Sequence, residues 1–197
     1  MTHQFKQRKV LNLGFIHLDD ISDNGELENI DKFNSQVVLR FYIKAPLFVA
    51  KQFLEFKDST YTELHHKFST IEEAYYIPAH FKIRNTKTHE DEIMSEEQCN
   101  QLYTKFENFH RAIYGFYKKL IDQGIKKEQI NIILPQSMYT EFYWSINLNA
   151  FMNFLKITIN DTSQWEMQQY ASTLMDFFFE YLPDDAKLFV KKEFKRE

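Results

Sequence analysis

The chain has 197 residues, of which 44% are hydrophobic and 17% aromatic, so it can bury a core as one domain over residues 1–197 and is not disordered. A net charge of −4 argues against a general nucleic-acid binder. No apolar run reaches the roughly 18 residues of a membrane span. The single cysteine, Cys99, rules out an intramolecular disulfide and argues against a cysteine-based metal site. We therefore expect a cytoplasmic location.

The first half of the chain is predicted to hold two strands and then a helix. Segment 36–44 is rich in β-branched and aromatic residues, which favour a strand. Pro46 suits the first turn of a helix, because that position needs no N–H donor. In chain order we predict a strand over 10–21, a strand over 36–44, a helix over 46–56, a loop or broken helix over 57–70, and a short strand over 73–78.

The second half is predicted to be mainly helical. Six apolar residues recur at helical spacing before Gly124, which is expected to end the helix: Leu102, Phe106, Phe109, Ile113, Phe116 and Leu120. The other predictions are a surface loop over 84–97, helices over 98–123, 126–134, 150–158 and 164–182, a strand over 139–148, and a final amphipathic segment. The predicted fold class is therefore α+β, with the strand 36–44 central in one sheet.

Two blocks of sequence, in order, carry the motifs of one protein family. The first block has Lys-Ala-Pro at 44–46, Phe-Val-Ala-Lys-Gln at 48–52 and Tyr-Ile-Pro at 76–78. The second has Asn-Ile-Ile-Leu-Pro at 131–135, Tyr-Thr-Glu-Phe-Tyr-Trp at 139–144 and Asn-Leu-Asn-Ala-Phe-Met-Asn-Phe-Leu at 147–155. From Val37 to Tyr170, the chain resembles the flavin-dependent thymidylate synthases.

The resemblance implies both a fold and a reaction. The fold is a mixed, mainly antiparallel sheet packed with long helices. In the reaction, FAD supplies a hydride, methylenetetrahydrofolate supplies a one-carbon unit, and C5 of a pyrimidine deoxynucleotide receives it. Members of the family form homotetramers with sites where subunits meet, so we expect a homo-oligomer, a tetramer. The excess of Phe and Tyr points the same way, because large exposed apolar patches imply partners.

Carried over by position, the resemblance assigns a substrate site and a cofactor site. Thr158 stands where the family has its pyrimidine-activating arginine and is the candidate catalytic position. The candidate substrate-binding residues are Gln52, Glu55, Glu63, His65, Lys67, Asn131 and Thr158. The candidate FAD-binding residues are Lys57, Glu63, Asn147, Asn149 and Asn153. No metal is expected: the adjacent His66 and His65 are interpreted as surface or packing residues, because no further ligand stands at a readable spacing.

Between the second and third elements of the first block, the family has the motif Arg-His-Arg-x-x-Ser-x-Asn-Glu-x-Ser-x-Arg-Tyr, which is degenerate over 55–68 of this chain. The departures from the family are concentrated in charged positions. The family has arginine at positions 55, 67, 131 and 158, where guanidinium groups hold the phosphate and polarise the pyrimidine ring. Glu55 inverts this charge and would repel a phosphate about 4 Å away by roughly 1 to 4 kcal/mol. The N-terminal arm is also shorter, and residues 30–36 lack the family's flavin-contacting histidines. We therefore expect dUMP not to be preferred.

Two functions stay open at this point. The first is an enzyme that transfers a methyl or hydroxymethyl group to C5 of a pyrimidine deoxynucleotide, dCMP rather than dUMP, because cytosine has an amine at C4 and an unprotonated N3. The alternative is a catalytically inactive homologue that acts as a partner subunit of an active paralogue or as a ligand-binding module. The loss of several arginines favours the alternative, whereas retention of Gln52, Glu63, Asn147 and Asn153 favours the enzyme.

Overall fold

The computed structural model describes residues 6–22, 37–64, 72–88, 90–159 and 164–181. In chain order they form β1 (Gln7–Val10), β2 (Gly14–Ser22), β3 (Val38–Pro46), α1 (Leu47–Glu55), β4 (Ser59–Glu63), β5 (Lys82–Arg84), β6 (Asp91–Ile93), α2 (Glu96–Asp122), α3 (Lys127–Ile130), a 3-10 turn (Asn131–Ile133), β7 (Tyr139–Asn147), α4 (Leu148–Thr158) and α5 (Trp165–Tyr181). The chain divides into two compact units, Met1–His65 with Tyr139–Glu197, and His66–Met138. A single domain over 1–197 stays a prediction.

The first unit is built on a five-stranded antiparallel sheet with strand order β1-β2-β3-β7-β4. The central place of β3 and the α+β class are confirmed. β3 pairs with β7 along its whole length, from Val38 opposite Asn147 to Pro46 opposite Tyr139. Alternate residues of β3 are buried, as expected for a strand with one face on the core: Leu39, Phe41, Ile43 and Ala45.

Helices α1, α4 and α5 pack on the sheet of the first unit, and the Phe53 ring lies at the centre of their contacts. This fully buried side chain of α1 contacts four aromatic rings at centroid distances between 5.0 and 6.2 Å: Phe142, Trp144, Phe154 and Tyr170. Full burial of a side chain of this size contributes about 1.5 to 3 kcal/mol. Phe53 therefore fixes the C-terminal end of α1 against β7 and α4.

The strand predicted over 10–21 is a hairpin. β1 ends at Val10 and β2 starts at Gly14, after a turn in which Leu11 has a φ of 57°. A Cβ at position 14 would lie 2.1 Å from the Tyr170 hydroxyl and 2.6 Å from the Val10 carbonyl oxygen, so only glycine fits there. The alternation of apolar residues indicates strand structure correctly but does not locate a turn formed by non-glycine residues.

The loop or broken helix predicted over 57–70 contains a strand, β4, which forms the edge of the sheet next to β7. Tyr61 stacks on Phe142 of β7 with ring centroids 4.6 Å apart. Its neighbours Thr60 and Thr62 are exposed, which gives the alternation of a half-buried strand. With a single large apolar residue in the segment, the sequence pattern is too weak to show this strand. Residues 65–71 lie outside the described part of the chain.

Two further predictions between β4 and α2 are wrong. The strand predicted over 73–78 is reduced to one isolated bridge between Tyr75 and Met138. The surface loop predicted over 84–97 contains instead part of a two-stranded hairpin, β5 with β6, and the first turn of α2. The hairpin turn is closed by the Asn85 side chain, which accepts a hydrogen bond from the Lys87 N–H at 2.9 Å.

The second unit contains the long helix α2, whose predicted position is confirmed. It starts at a capping box formed by Ser95 and Gln98. The predicted apolar face, however, is not the buried one. Cys99, His110 and Tyr117 are the buried residues of α2, whereas Phe109 is 59% and Phe116 is 55% exposed. The predicted stripe lies beside the buried face.

The remaining predicted elements are confirmed with ends shifted by a residue or two. Helix α2 ends shortly before Gly124, which has a φ of 77°. The segment 126–134 forms α3 and the 3-10 turn, and β7, α4 and α5 occupy the positions predicted for them. The final amphipathic segment lies outside the described residues. Within the described residues, no helix is both long and apolar enough to cross a membrane.

Candidate functional site

The turn between α1 and β4 carries Lys57 and is held by a relay of hydrogen bonds. Trp144 Nε1 donates to Ser59 Oγ at 2.9 Å, and Ser59 Oγ donates to the Phe56 carbonyl oxygen at 2.7 Å. The Phe56 ring packs edge-on against Phe154 of α4, with ring centroids 5.4 Å apart. These contacts fix the backbone on both sides of Lys57, whose side chain is exposed at one end of the sheet.

The junction of β7 and α4 is organised by Asn147. The Asn147 side-chain oxygen accepts a hydrogen bond from the Ala150 N–H at 2.9 Å and caps the helix. The Leu148 N–H donates to the Val37 carbonyl oxygen at 2.9 Å. Capping uses the oxygen of the Asn147 carboxamide, so its NH₂ group can donate to a ligand.

Lys57, Asn147 and Asn149 lie at one end of the sheet, and Asn153 lies one turn further along α4. The β4–β7 register places Ser59 opposite Ile146, so the turn that carries Lys57 lies next to the start of α4. Asn149 and Asn153 are four residues apart and exposed, and therefore share one solvent-facing side of α4. Lys57, Asn147, Asn149 and Asn153 all carry hydrogen-bond donors and constitute the donor cluster.

This donor cluster suits a phosphate-bearing ligand such as FAD. Lys57 offers an ammonium group, and the start of a helix carries partial positive charge. Carboxamide NH₂ groups donate either to phosphate oxygens or to the carbonyl oxygens of a flavin ring. Asp58, in the same turn, offsets part of this positive charge. The residues present therefore fit the cofactor, with Lys57 as the single cation among the candidate residues that the structure describes.

Two predicted substrate-binding residues, Gln52 and Thr158, lie next to the stacked rings of Phe53 and Phe154, whose centroids are 5.5 Å apart. Gln52 Nε2 donates to Gln164 Oε1 at 2.8 Å. Thr158 lies one turn beyond Phe154, and its hydroxyl donates to the Phe154 carbonyl oxygen at 2.7 Å. The structure thus places both residues at the C-terminal ends of α1 and α4.

Glu63 lies at the opposite end of the β4–β7 ladder from the donor cluster. It pairs with Phe142, whereas Ser59 pairs with Ile146, so about 13 Å of strand separates the two ends at roughly 3.3 Å per residue. Its Oε1 accepts a hydrogen bond from the Thr140 hydroxyl at 2.7 Å. Glu63 and the start of α4 therefore cannot contact the same small group, and only an extended ligand could contact both.

The structure does not bring the other predicted substrate-binding residues together with Gln52 and Thr158. Glu55 is exposed and is the last residue of α1. Asn131 is exposed and belongs to the second unit, where its side-chain oxygen accepts a hydrogen bond from the Tyr117 hydroxyl at 3.4 Å. His65 and Lys67 lie outside the described residues. The cofactor set is consequently assembled more completely than the substrate set.

The face of the sheet opposite the core carries paired charges. Lys44 Nζ lies 3.3 Å from Glu141 Oε1, and the Tyr42 hydroxyl donates to the same carboxylate. Burial, together with the hydrogen bond and charge of Glu141, raises the pKa of Tyr42 above its ordinary value. The Arg40 guanidinium lies 4.3 Å from the centre of the Tyr143 ring. These groups neutralise and stack on one another, so they stabilise β3 against β7.

The sequence does not indicate Gln164 and Ser59, which are hydrogen-bonded to residues of the candidate site or to the turn that carries Lys57. Gln164 stands in a Gln-Trp-Glu segment, at 164–166, that matches the family, so its presence just before α5 is a usable signal. Ser59 offers no such signal, because a small hydroxyl residue in a polar stretch is typical of a loop. Only the fold shows that it joins Trp144 to the turn that carries Lys57.

The fold and the donor cluster define an α+β protein whose sheet end suits a phosphate-bearing ligand. Residues 32–184 match the family described as thymidylate synthase complementing protein. The chain belongs to this family, that of the flavin-dependent thymidylate synthases, and the resemblance found in the sequence is confirmed.

Relatives and a solved structure give the extent of the similarity. The flavin-dependent thymidylate synthase of Thermosipho africanus is 30% identical over 165 residues, which cover 81% of this chain and 71% of that protein. That of Thermotoga neapolitana is 31% identical over 159 residues, covering 81% and 69%. The crystal structure of a UMP/dUMP methylase, PolB from Streptomyces cacaoi, bound with 5-Br UMP, matches with a TM-score of 0.76 at 17% identity, covering 89% of this chain and 93% of that one. At this identity, the structural match concerns the fold.

Proposed function

We propose that this protein transfers a one-carbon unit, methyl or hydroxymethyl, from methylenetetrahydrofolate to C5 of a pyrimidine deoxynucleotide, with FAD as cofactor. The observation that carries the proposal is the junction of β7 and α4. There Asn147 keeps the family residue, caps the helix with its oxygen and retains an amide donor beside the Lys57 turn. Membership of a family of flavin-dependent thymidylate synthases supports the reaction class.

Residues at the start of α4 and in the preceding turn would hold FAD. Lys57 would neutralise phosphate charge, and Asn147, Asn149 and Asn153 would donate hydrogen bonds. When bound, FAD supplies the hydride for the reaction. Glu63 would meet a distant part of the same extended cofactor, because it lies at the other end of the β4–β7 ladder.

The nucleotide would lie against the C-terminal ends of α1 and α4. Gln52 and Thr158 would contact the base there. Glu55, exposed at the end of α1, disfavours a phosphate close to it, so dUMP in the pose usual for the family is not the preferred ligand. Contacts from His65, Lys67 and Asn131 stay predictions.

The second candidate function is that of an inactive partner subunit or ligand-binding module. Thr158 favours it, because its hydroxyl proton is already donated to the Phe154 carbonyl oxygen and cannot polarise a pyrimidine as a guanidinium does. In this case the chain would complete the site of an active paralogue in a mixed oligomer. For either function we infer a cytoplasmic homo-oligomer or mixed oligomer, a tetramer as expected from the family.

The experiment that tests the proposal has two stages. The first records the visible absorbance spectrum of the purified protein, where bound flavin is expected to show its characteristic bands. The second incubates the flavin-loaded protein with a reductant, isotopically labelled methylenetetrahydrofolate and either dUMP or dCMP, and follows the labelled carbon into the nucleotide by mass spectrometry. Label in a C5-substituted nucleotide supports the enzyme. Flavin binding without label transfer favours the partner subunit, and absence of both bound flavin and transferred label contradicts the enzyme.

A further inference from the structure

We propose that Gln164 is a positioning residue that holds the Gln52 carboxamide with its oxygen toward the ligand, so that the site selects a base bearing an amine, cytosine over uracil. This inference rests on the proposed function, because Gln52 meets a pyrimidine only if the chain binds one. It adds to that function a residue outside the predicted site and a physical basis for the choice of base.

The orientation of the Gln52 carboxamide is set by two acceptors on one side of it. Its Nε2 lies 2.8 Å from Gln164 Oε1 and 3.5 Å from the Phe48 carbonyl oxygen. A carboxamide turned through 180° would place Gln52 Oε1 against the Phe48 carbonyl oxygen, acceptor against acceptor. Gln164 supplies the shorter of the two contacts. The NH₂ group of Gln52 is thus engaged within the protein, and its oxygen is the group that it can offer to a ligand.

Thr158, like Gln52, can only accept a hydrogen bond from a ligand. Its hydroxyl hydrogen is donated to the Phe154 carbonyl oxygen, four residues earlier in α4, at 2.7 Å. What the Thr158 oxygen can offer to a ligand is therefore lone pairs. The family has at this position an arginine, whose guanidinium only donates hydrogen bonds. Position 158 therefore accepts hydrogen bonds in this chain, whereas in the family it donates them.

Two acceptors distinguish cytosine from uracil by the number of ring-edge donors. Uracil offers one hydrogen, at N3, between two carbonyl oxygens that face an acceptor unfavourably. Cytosine offers the two hydrogens of its C4 amine beside an unprotonated N3. A site that presents acceptors from both Gln52 and Thr158 therefore leaves one of them without a donor when uracil is bound. An unmatched polar group of this kind lowers affinity about tenfold or more.

The test is a calorimetric titration of the full chain with dCMP and dUMP, repeated with deoxycytidine and deoxyuridine so that phosphate contacts do not enter the comparison. The wild-type protein is expected to bind the cytosine compound about tenfold more tightly in each pair. The variant Gln164→Met keeps the side-chain length and removes the shorter of the two contacts, so only the Phe48 carbonyl oxygen at 3.5 Å still orients the Gln52 carboxamide and the dCMP:dUMP preference should fall. The variant Gln164→Glu keeps an acceptor facing Gln52 and should retain the preference.

A second pair of variants separates positioning from mere packing. Thr158→Val removes the acceptor at constant shape and should lower the cytosine preference, whereas Thr158→Ser should keep it. Equal losses of affinity for both bases in Gln164→Met would show a structural role and overturn the inference. Tighter binding of dUMP than of dCMP by the wild-type protein would overturn the inference and the expectation that dUMP is not preferred, and would leave one-carbon transfer to a pyrimidine deoxynucleotide standing. Binding of none of the four compounds would overturn the proposed function as well.

Discussion

At the scale of single residues, the candidate site is defined by hydrogen bonds that its polar groups already make. Asn147 uses its oxygen as a helix cap and keeps a donor, whereas Gln52 and Thr158 use their hydrogens and keep acceptors. The first arrangement suits phosphate and carbonyl oxygens, and the second suits an amine. The division therefore separates a donor position, at the start of α4, from acceptor positions in α1 and at the end of α4, although all three residues are uncharged.

Lys57 provides the first test at this scale. Lys57→Glu should weaken FAD binding at least tenfold, because it replaces an attraction to phosphate with a repulsion of similar size, each roughly 1 to 4 kcal/mol. Retention is measured as the flavin-to-protein ratio after gel filtration and as the dissociation constant from flavin fluorescence. Lys51→Glu is the matched control, since Lys51 is also exposed and lies in α1 away from the turn. Unchanged retention in Lys57→Glu would place the phosphates elsewhere.

His110 provides a second test, on stability. Its ring is 3% exposed, stacks on Tyr75 at a centroid distance of 4.3 Å, and has Nε2 2.5 Å from Ser137 Oγ. Burial lowers the pKa of His110 below its ordinary value of 6.5, although the Phe106 carbonyl oxygen acts in the opposite direction. The unfolded chain therefore binds more protons than the folded one just below pH 6.5, and the free energy of unfolding should decrease as the pH falls through this range.

The measurement for His110 is a urea unfolding series between pH 7.5 and pH 5. His110→Gln keeps a polar group toward Ser137 and cannot titrate, so its stability should vary less with pH than that of the wild-type protein. His80→Gln, at an exposed position of the same unit, is the control and should behave as the wild type. Parallel pH profiles for His110→Gln and the wild type would show that His110 is not the titrating group.

At the scale of elements, α4 connects the core to the candidate site. Its buried side carries Leu148, Phe151, Phe154 and Leu155, and these residues fix the helix on the sheet. Its exposed side carries Asn149 and Asn153, and its first turn is closed by the Asn147 cap. Asn147 therefore stabilises the helix through its oxygen, and in the proposed function it binds the cofactor through its nitrogen. Two substitutions separate these roles.

Asn147→Ala should remove both roles, with a loss of about 1 kcal/mol in the free energy of unfolding from the missing cap. Asn147→Asp should keep the cap, because a carboxylate accepts from the Ala150 N–H and suits the positive end of the helix. It should nevertheless release FAD, because it loses the NH₂ donor and brings negative charge near the phosphates. Denaturant midpoints and flavin retention, measured on the same preparations, check both effects. An Asn147→Asp variant that retains flavin as the wild type does would exclude the amide contact.

At the scale of the whole molecule, the sequence predicts those features that repeat along the chain and misses those made by contacts distant in sequence. The strand β3 follows from its β-branched and aromatic composition, α2 follows from apolar residues at helical spacing, and the family follows from two ordered motif blocks. The turn before Gly14 and the strand β4 do not follow, because each depends on a distant partner, Tyr170 in one case and Phe142 in the other. The Gln52–Gln164 hydrogen bond joins residues 112 positions apart and leaves no periodic signal.

The exposed side of α2 bears on the assembly of the whole molecule. The predicted stripe and its neighbour Tyr103 leave four large rings between 40% and 59% exposed: Tyr103, Phe106, Phe109 and Phe116. With roughly 200 Å² per ring, about half of it exposed, the four present on the order of 400 Å² of mostly apolar surface, a size typical of interaction sites. The 4-3 spacing of Leu102 to Leu120 is that of a helix that packs against another helix along its length. We therefore expect this stripe to form the contact with a second copy of the chain.

Light scattering on the wild-type protein and on a double variant, Phe109→Glu with Phe116→Glu, tests this expectation. The wild-type mass should be about four times that of the 23.9 kDa chain, and the double variant should be smaller, because two buried carboxylates per helix cannot be accommodated in an apolar contact. Ile132→Glu is the control, since Ile132 is an 84% exposed apolar residue of the same unit outside the stripe, and it should leave the mass unchanged. A wild-type mass of 23.9 kDa would contradict the assembly itself. A double variant with the full mass would show that the copies meet through another surface, in which case the exposed rings of α2 are left for a different partner.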